Sequence, residues 1–248
     1  MTSDLDAATA FYADVVGWKT RDYPQAKMRY VMGLAGETAV AGMMTIPDEA
    51  DGMPPGWIGY IGVKGIDGAC ARLKSGGGVV HRPPDDIPGI GRFAMVSDNT
   101  GAMYALFTSD DAAMLEPQHG MTPGLVGWHE LMSGDWEKSF AFYAEQYGWV
   151  KTDTLDMGPM GTYLLFGEKP AGNSVGGMMT MKEALQSFWL FYFVVEDIDA
   201  AMDRAVKKGA ELMVGPMEVP GGAWIIQARD PQGAHFALVG MRKAEAPS

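Results

Sequence analysis

The stretch "FYADVVGW" at 11–18 returns as "FYAEQYGW" at 142–149, 131 positions later (142 − 11). The repetition extends outward from it. "DLDAATAFYADVVGW" at 4–18 lies over "DWEKSFAFYAEQYGW" at 135–149, and "GMMTIP" at 42–47 over "GMMTMK" at 177–182. "GIDGACARLKSGG" at 65–77 aligns with "DIDAAMDRAVKKG" at 197–209, "IPG" at 87–89 with "VPG" at 219–221, and "DNTGAMYALF" at 98–107 with "DPQGAHFALV" at 230–239. The offset drifts only between 131 and 135, with the blocks in unchanged order. The period is far longer than the 20–50 residues of stacked solenoid repeats. The chain therefore carries one module twice.

Within a copy the punctuation predicts the elements. Asp135 stands where a helix N-cap belongs, Trp136, Phe140, Tyr143 and Tyr147 follow at helical spacing, and Gly148 stops the helix. Leu5, Thr9, Tyr12 and Val16, ended by Gly17, form the matching face, so the repeated aromatics read as core residues. Extended runs follow at 29–34 and 162–167, then "AVAGMMTI" and "NSVGGMMT", then "WIGYIGV" at 57–63 and "FWLFYFVV" at 188–195. Second helices are expected at about 67–75 and 199–208. Closing strands follow near 79–82 with 92–97 and 211–214 with 224–228, and last strands at 102–108 and 234–240. Each copy thus reads strand, helix, three strands, and the same again.

A strand at 125–132, "LVGWHELM", precedes the helix of the second copy, whereas only Met1, Thr2 and Ser3 precede the Asp4 cap of the first. The first module is expected to lack its first strand here, with a natural start further upstream. The boundaries read as a module over 1–108, a linker over 109–124 and a module over 125–241.

Bulk properties narrow the function classes. A net charge of −12 repels phosphate backbones and anionic membrane surfaces, which argues against nucleic acid as a partner. No apolar run reaches the roughly 18 residues of a membrane span, and no secretory leader is visible. One cysteine, Cys70, rules out an internal disulfide and is read as a packing residue of the second helix. The expected location is the cytoplasm.

The Asp-capped helix ending Phe-Tyr-x-x-x-x-Gly-Trp, the Ile-Asp approach to a second helix and the Asp-x-x-Gly turn into the last strand resemble the vicinal oxygen chelate superfamily. That group contains glyoxalases, extradiol dioxygenases, fosfomycin-modifying enzymes and bleomycin-resistance proteins. The resemblance covers residues 4 to about 240. It implies an α+β fold of two tandem βαβββ modules, with curved, barrel-like sheets around a cavity. It also implies a divalent metal held by His, Glu or Gln on the first strand, before the second helix and on the last strand.

Those positions lack the ligands. The last-strand carboxylate position falls on Ala105 and Ala237, the first-strand position lies near Trp128, and Trp57, Ile58, Trp189 and Leu190 stand before the second helices. No metal is therefore expected, although a rearranged site is an alternative. His235 shares strand parity with Ala237, and Glu130 shares a face with Trp128 while His129 takes the other. His235 and Glu130 are the candidates for acid–base work. His81 reads as a turn residue and His119 as a linker residue. For a ligand surface the candidates are Trp57, Tyr60, Trp128, Trp189, Tyr192, Met103, Arg92 and Trp224, with Met43 and Met178 beside them. Alternation of faces sends about half of these under the helices. A small, largely apolar or aromatic molecule is the expected partner. The alternative is a lyase, isomerase or dioxygenase-type enzyme, and a homodimer stays open beside pairing within one chain.

Overall fold

The computed structural model describes residues 1–24, 28–50, 52–116, 120–170, 172–181 and 186–243. The first copy contains α1 (Leu5–Val16), β1 (Lys19–Asp22), β2 (Tyr30–Ala35), β3 (Thr38–Met44), β4 (Tyr60–Gly62), α2 (Ile66–Ser75), β5 (Val79–Ile87), β6 (Gly91–Ser97) and β7 (Met103–Thr108). The second contains β8 (Val126–Ser133), α3 (Trp136–Tyr147), β9 (Val150–Asp156), β10 (Thr162–Gly167), β11 (Gly176–Thr180), β12 (Phe188–Val195), α4 (Ile198–Lys207), β13 (Glu211–Glu218), β14 (Trp224–Arg229) and β15 (His235–Gly240). This is an α+β fold in which the second copy runs βαβββ twice. The first copy runs the same course except at its opening, where Thr2 makes a single parallel bridge to Thr45. The equivalent pair, Ser133 and Thr180, ends a full parallel ladder between β8 and β11. No described helix is long and apolar enough to cross a membrane.

The helix ends follow from their caps. Asp4 and Asp135 sit in extended conformation and accept from the amides of Ala7 and Lys138, satisfying donors the first turn leaves over. Gly17 and Gly148 take φ of +86° and +73°, a left-handed conformation that glycine adopts without a Cβ penalty, and both helices stop there. Two strands were invisible to the pattern reading. All four residues of β1, "KTRD", are exposed, so no apolar alternation marks them, and β9 alternates around threonines and aspartates. In β4 only Tyr60–Gly62 is paired, and Trp57 lies ahead of the strand.

Contacts gather the chain into two compact units, and each draws on both copies. The first comprises 1–57, 118–128 and 191–248, the second 58–117 and 129–190. In the first unit β1, β2 and β3 form an antiparallel sheet. A further sheet there has the order β13-β14-β15-β12, its last pair parallel. Arg204 on α4 donates to the Asp14 and Val15 carbonyls at the end of α1. In the second unit the sheets are β4-β7-β6-β5 and β8-β11-β10-β9. Their core holds Ile66, Leu73, Leu106, Leu131, Phe166 and Met178, all at most 1% exposed. Cys70 packs in the same core.

Each unit also contains one buried polar contact set built from equivalent residues of opposite copies. In the first, Trp57 Nε1 donates to the Tyr12 hydroxyl, and that hydroxyl donates to Asp230 Oδ2, both at 2.9 Å. In the second, Trp189 Nε1 donates to the Tyr143 hydroxyl at 2.9 Å beside the buried Asp98. Asp98 Oδ1 accepts from Thr100 and Ala102, while its Oδ2 is buried without a hydrogen bond. Burial pushes both tyrosines well above the ordinary phenol range, and the neighbouring aspartate adds to it.

Candidate functional site

The core assigns each strand a helix-covered face and an opposite face. Tyr104, Leu106, Ala94 and Val96 lie in the core with α2, so on β6 and β7 the opposite face carries Phe93, Met95, Met103, Ala105 and Phe107. Tyr60 on β4 pairs with Ala105 and joins them. Its ring meets Phe107 edge-on at 6.3 Å, and Met95 pairs with Ala105 from the other side. Arg82 of β5 lies 4.9 Å over the Phe93 ring and is ion-paired with Asp85. Arg92 faces the other way, toward α2, where it bridges Asp67 and Asp86. This opposite face of the second unit is thus apolar and sulfur-rich, and Tyr60 is 56% exposed on it.

The equivalent face of the first unit has different chemistry. Ala237 pairs with Tyr192 on one side and Gln227 on the other, and Gln227 Nε2 donates to the Tyr192 hydroxyl at 2.6 Å. One step along, Arg229 Nε lies 3.2 Å from His235 Nε2 and pairs with Glu211. Partial burial and the Arg229 charge lower the His235 pKa. Trp224 is on the helix side, under the Arg242 guanidinium at 3.7 Å, and Arg242 is bound to Asp199 of α4.

On β8, Leu131 belongs to the core, which turns Glu130 to the opposite face together with Trp128. Glu130 is 6% exposed, and the Tyr163 hydroxyl of β10 donates to its Oε1 at 2.7 Å. Between them runs β11, where Gly177 pairs with Glu130 and a Cβ would overlap the Tyr163 ring. The missing Cβ lets the phenol cross the strand. Tyr30 crosses Gly42 in the same way in the first unit, and burial raises its pKa. The Glu130 and Tyr163 pairing escaped the sequence reading, although the repeated Tyr and Gly were its visible signal.

The remaining candidates have structural partners. Trp57 and Trp189 donate into the buried tyrosines, and Met43 and Met178 are buried. His81 contacts the Ser97 hydroxyl and His129 the Val175 carbonyl, each at 2.9 Å. His119 lies outside the described residues.

A divalent cation needs at least three converging N, O or S donors. Among the described residues no three His, Cys, Asp or Glu side chains converge. Ala105 and Ala237, both fully buried, present methyl groups where the resemblance would place carboxylates. Among the described residues the donor set does not fit a metal of the implied kind.

Paired βαβββ units with facing-copy exchange define the class of protein. The profile of the Glyoxalase/Bleomycin resistance protein/Dioxygenase superfamily matches residues 1–106 and again 125–238, and the chain belongs to that superfamily. Over 245 residues it is 29% identical to a Mycobacterium tuberculosis protein provisionally named a glyoxylase, CFP32, covering 96% of this chain and 91% of that one. It is 30% identical to the anthracycline biosynthesis protein DnrV of Streptomyces peucetius, covering 79% and 70%. Among solved structures, the Mn(II)-bound glyoxalase of Novosphingobium aromaticivorans superposes with a TM-score of 0.65 at 16% identity, covering 98% of this chain and 80% of that one. The 2,3-dioxygenase LapB of Pseudomonas sp. KL28 gives 0.64 at 14%, covering 99% and 91%. At such identities the likeness is one of fold.

Proposed function

We propose that this chain binds a small, flat, largely apolar or aromatic molecule without a metal. One observation carries the reading. At the position where a carboxylate would serve a cation, Ala105 is surrounded by Tyr60, Met95, Met103 and Phe107. Aromatic rings offer flat contacts and methionines adapt to irregular outlines, which suits a planar apolar ligand. The name of the Streptomyces relative suggests an anthracycline as the first probe. Protein prepared without a metal-affinity tag should contain no stoichiometric transition metal by elemental analysis. It should quench on titration with an anthracycline to the same extent with and without chelator. A bound metal, or binding abolished by chelation, overturns the reading.

A second reading, an enzyme of the lyase, isomerase or dioxygenase kind, has Glu130 in its favour. A buried carboxylate hydrogen-bonded to a phenol is equipped to take and return a proton. Under this reading Glu130→Gln lowers turnover by about 10²-fold or more. An unchanged rate removes it.

A further inference from the structure

We infer that the two copies have divided the work, so that the chain takes one ligand, a neutral ring system, on the Tyr60 face of the first copy. This rests on the proposed binding function and specifies its site. Position for position, Tyr60, Met95 and Ala105 correspond to Tyr192, Gln227 and Ala237, and in both copies the alanine pairs with the other two. Met103 and His235 likewise correspond. The environments have diverged. Tyr192 is 2% exposed and its hydroxyl is engaged by Gln227, whereas Tyr60 is 56% exposed and has a methionine across the alanine.

An apolar ring settling on the second-copy face would take the hydrogen-bonded Tyr192 hydroxyl and Gln227 amide out of water while offering them neither donor nor acceptor, a desolvation cost a ring has no atoms to offset. On the first-copy face it meets the half-buried Met95 and Met103 thioethers and the exposed Tyr60 ring, with the Ala105 methyl already buried beneath them. The two arginines of β5 and β6 are both paired within the protein. Arg82 is paired with Asp85 while it stacks on Phe93, and Arg92 is paired with Asp67 and Asp86 on the other side of the sheet. A neutral ring matches this surface better than an anion or an acidic segment of another protein.

The test uses the full chain and 9-anthracenemethanol, a neutral fluorescent ring compound with no vicinal oxygens, followed by anisotropy. We expect saturation at one ligand per chain. Met95→Gln, which gives the first copy the second copy's residue, should weaken binding at least tenfold, and Met95→Leu should restore it. Gln227→Met should leave affinity within twofold of native. Urea midpoints of all variants separate loss of the site from loss of the fold. Two ligands per chain, or equal effects of Met95→Gln and Gln227→Met, overturn the inference. So does a concentration-dependent dimer that blocks the probe and dissociates in Met95→Gln, because the face would then belong to a second copy of the chain. If an anthracycline binds and 9-anthracenemethanol does not, the inference fails while the proposed function stands. If neither binds, both fail.

Discussion

Asp230 accepts a hydrogen bond at 2.9 Å from the hydroxyl of Tyr12, 218 residues upstream and in the other copy of the repeat. Tyr143 lies beside Asp98 with the copies interchanged, and that carboxylate helps to raise its pKa, but the buried Asp98 Oδ2 is without a hydrogen bond. Each compact unit therefore encloses a tyrosine from one copy and an aspartate from the other. The duplication is thereby used twice, with α1 beside α4 in one unit and α2 beside α3 in the other.

The two tyrosines should differ in worth. Removing the Tyr12 hydroxyl orphans two buried groups, Trp57 Nε1 and Asp230 Oδ2, whereas removing that of Tyr143 orphans one donor, Trp189 Nε1, beside an Asp98 oxygen already without a hydrogen bond. At about 1–3 kcal/mol per orphaned group, Tyr12→Phe should lose about 2–6 kcal/mol and Tyr143→Phe about half of that in urea unfolding. Equal losses would contradict this ranking.

Alkaline stability follows from the same burial. Tyr12, Tyr30, Tyr104, Tyr143 and Tyr147 all have raised pKa values, burial being the largest cause in each. Below about pH 10 these phenols are neutral in both folded and unfolded chains, so they add no pH dependence. Above it the unfolded chain ionises and the folded one does not, so stability falls as pH rises. These five of the nine tyrosines should ionise in one cooperative step coincident with unfolding, seen as tyrosinate absorbance tracking circular dichroism. Smooth independent ionisation in folded protein would refute it.

The helix caps should be worth similar amounts in both copies. Asp135→Ala removes the acceptor for the Lys138 amide, and Asp4→Ala that for Ala7, each costing about 1 kcal/mol in denaturant titration. A change of less than a few tenths at both positions would remove the capping argument.

These caps were legible in sequence because cap, helix face and stop lie within fifteen consecutive residues, 135–149. The α+β architecture and its duplication followed from the same local signals. What was not legible depends on partners far away in the chain. Period-two alternation says that Trp224 and Gln227 stand on opposite faces, yet only the packing of Ile226 and Ala228 says which face is covered. The exchange of halves between copies left no local mark either, because Tyr12 and Tyr143 occupy closely similar sequence contexts. Tyr163 gives no sign on its own strand that it reaches Glu130, 33 residues away.

That reach makes the most discriminating prediction. At Gly177 an added methyl would overlap the Tyr163 ring, so Gly177→Ala must either push the phenol off Glu130 or deform β11. Overpacking of this kind costs about 1–3 kcal/mol. Removing the ring relieves it, so in a Tyr163→Ala background the added methyl should cost much less. The double-mutant cycle should then show a coupling of about 1 kcal/mol or more, since the two residues share one contact. Gly42→Ala with Tyr30→Ala offers the parallel cycle in the other unit. Strict additivity of Gly177→Ala and Tyr163→Ala in chemical denaturation would mean that the glycine is there for backbone reasons, and that the path of the phenol to Glu130 is not what keeps it.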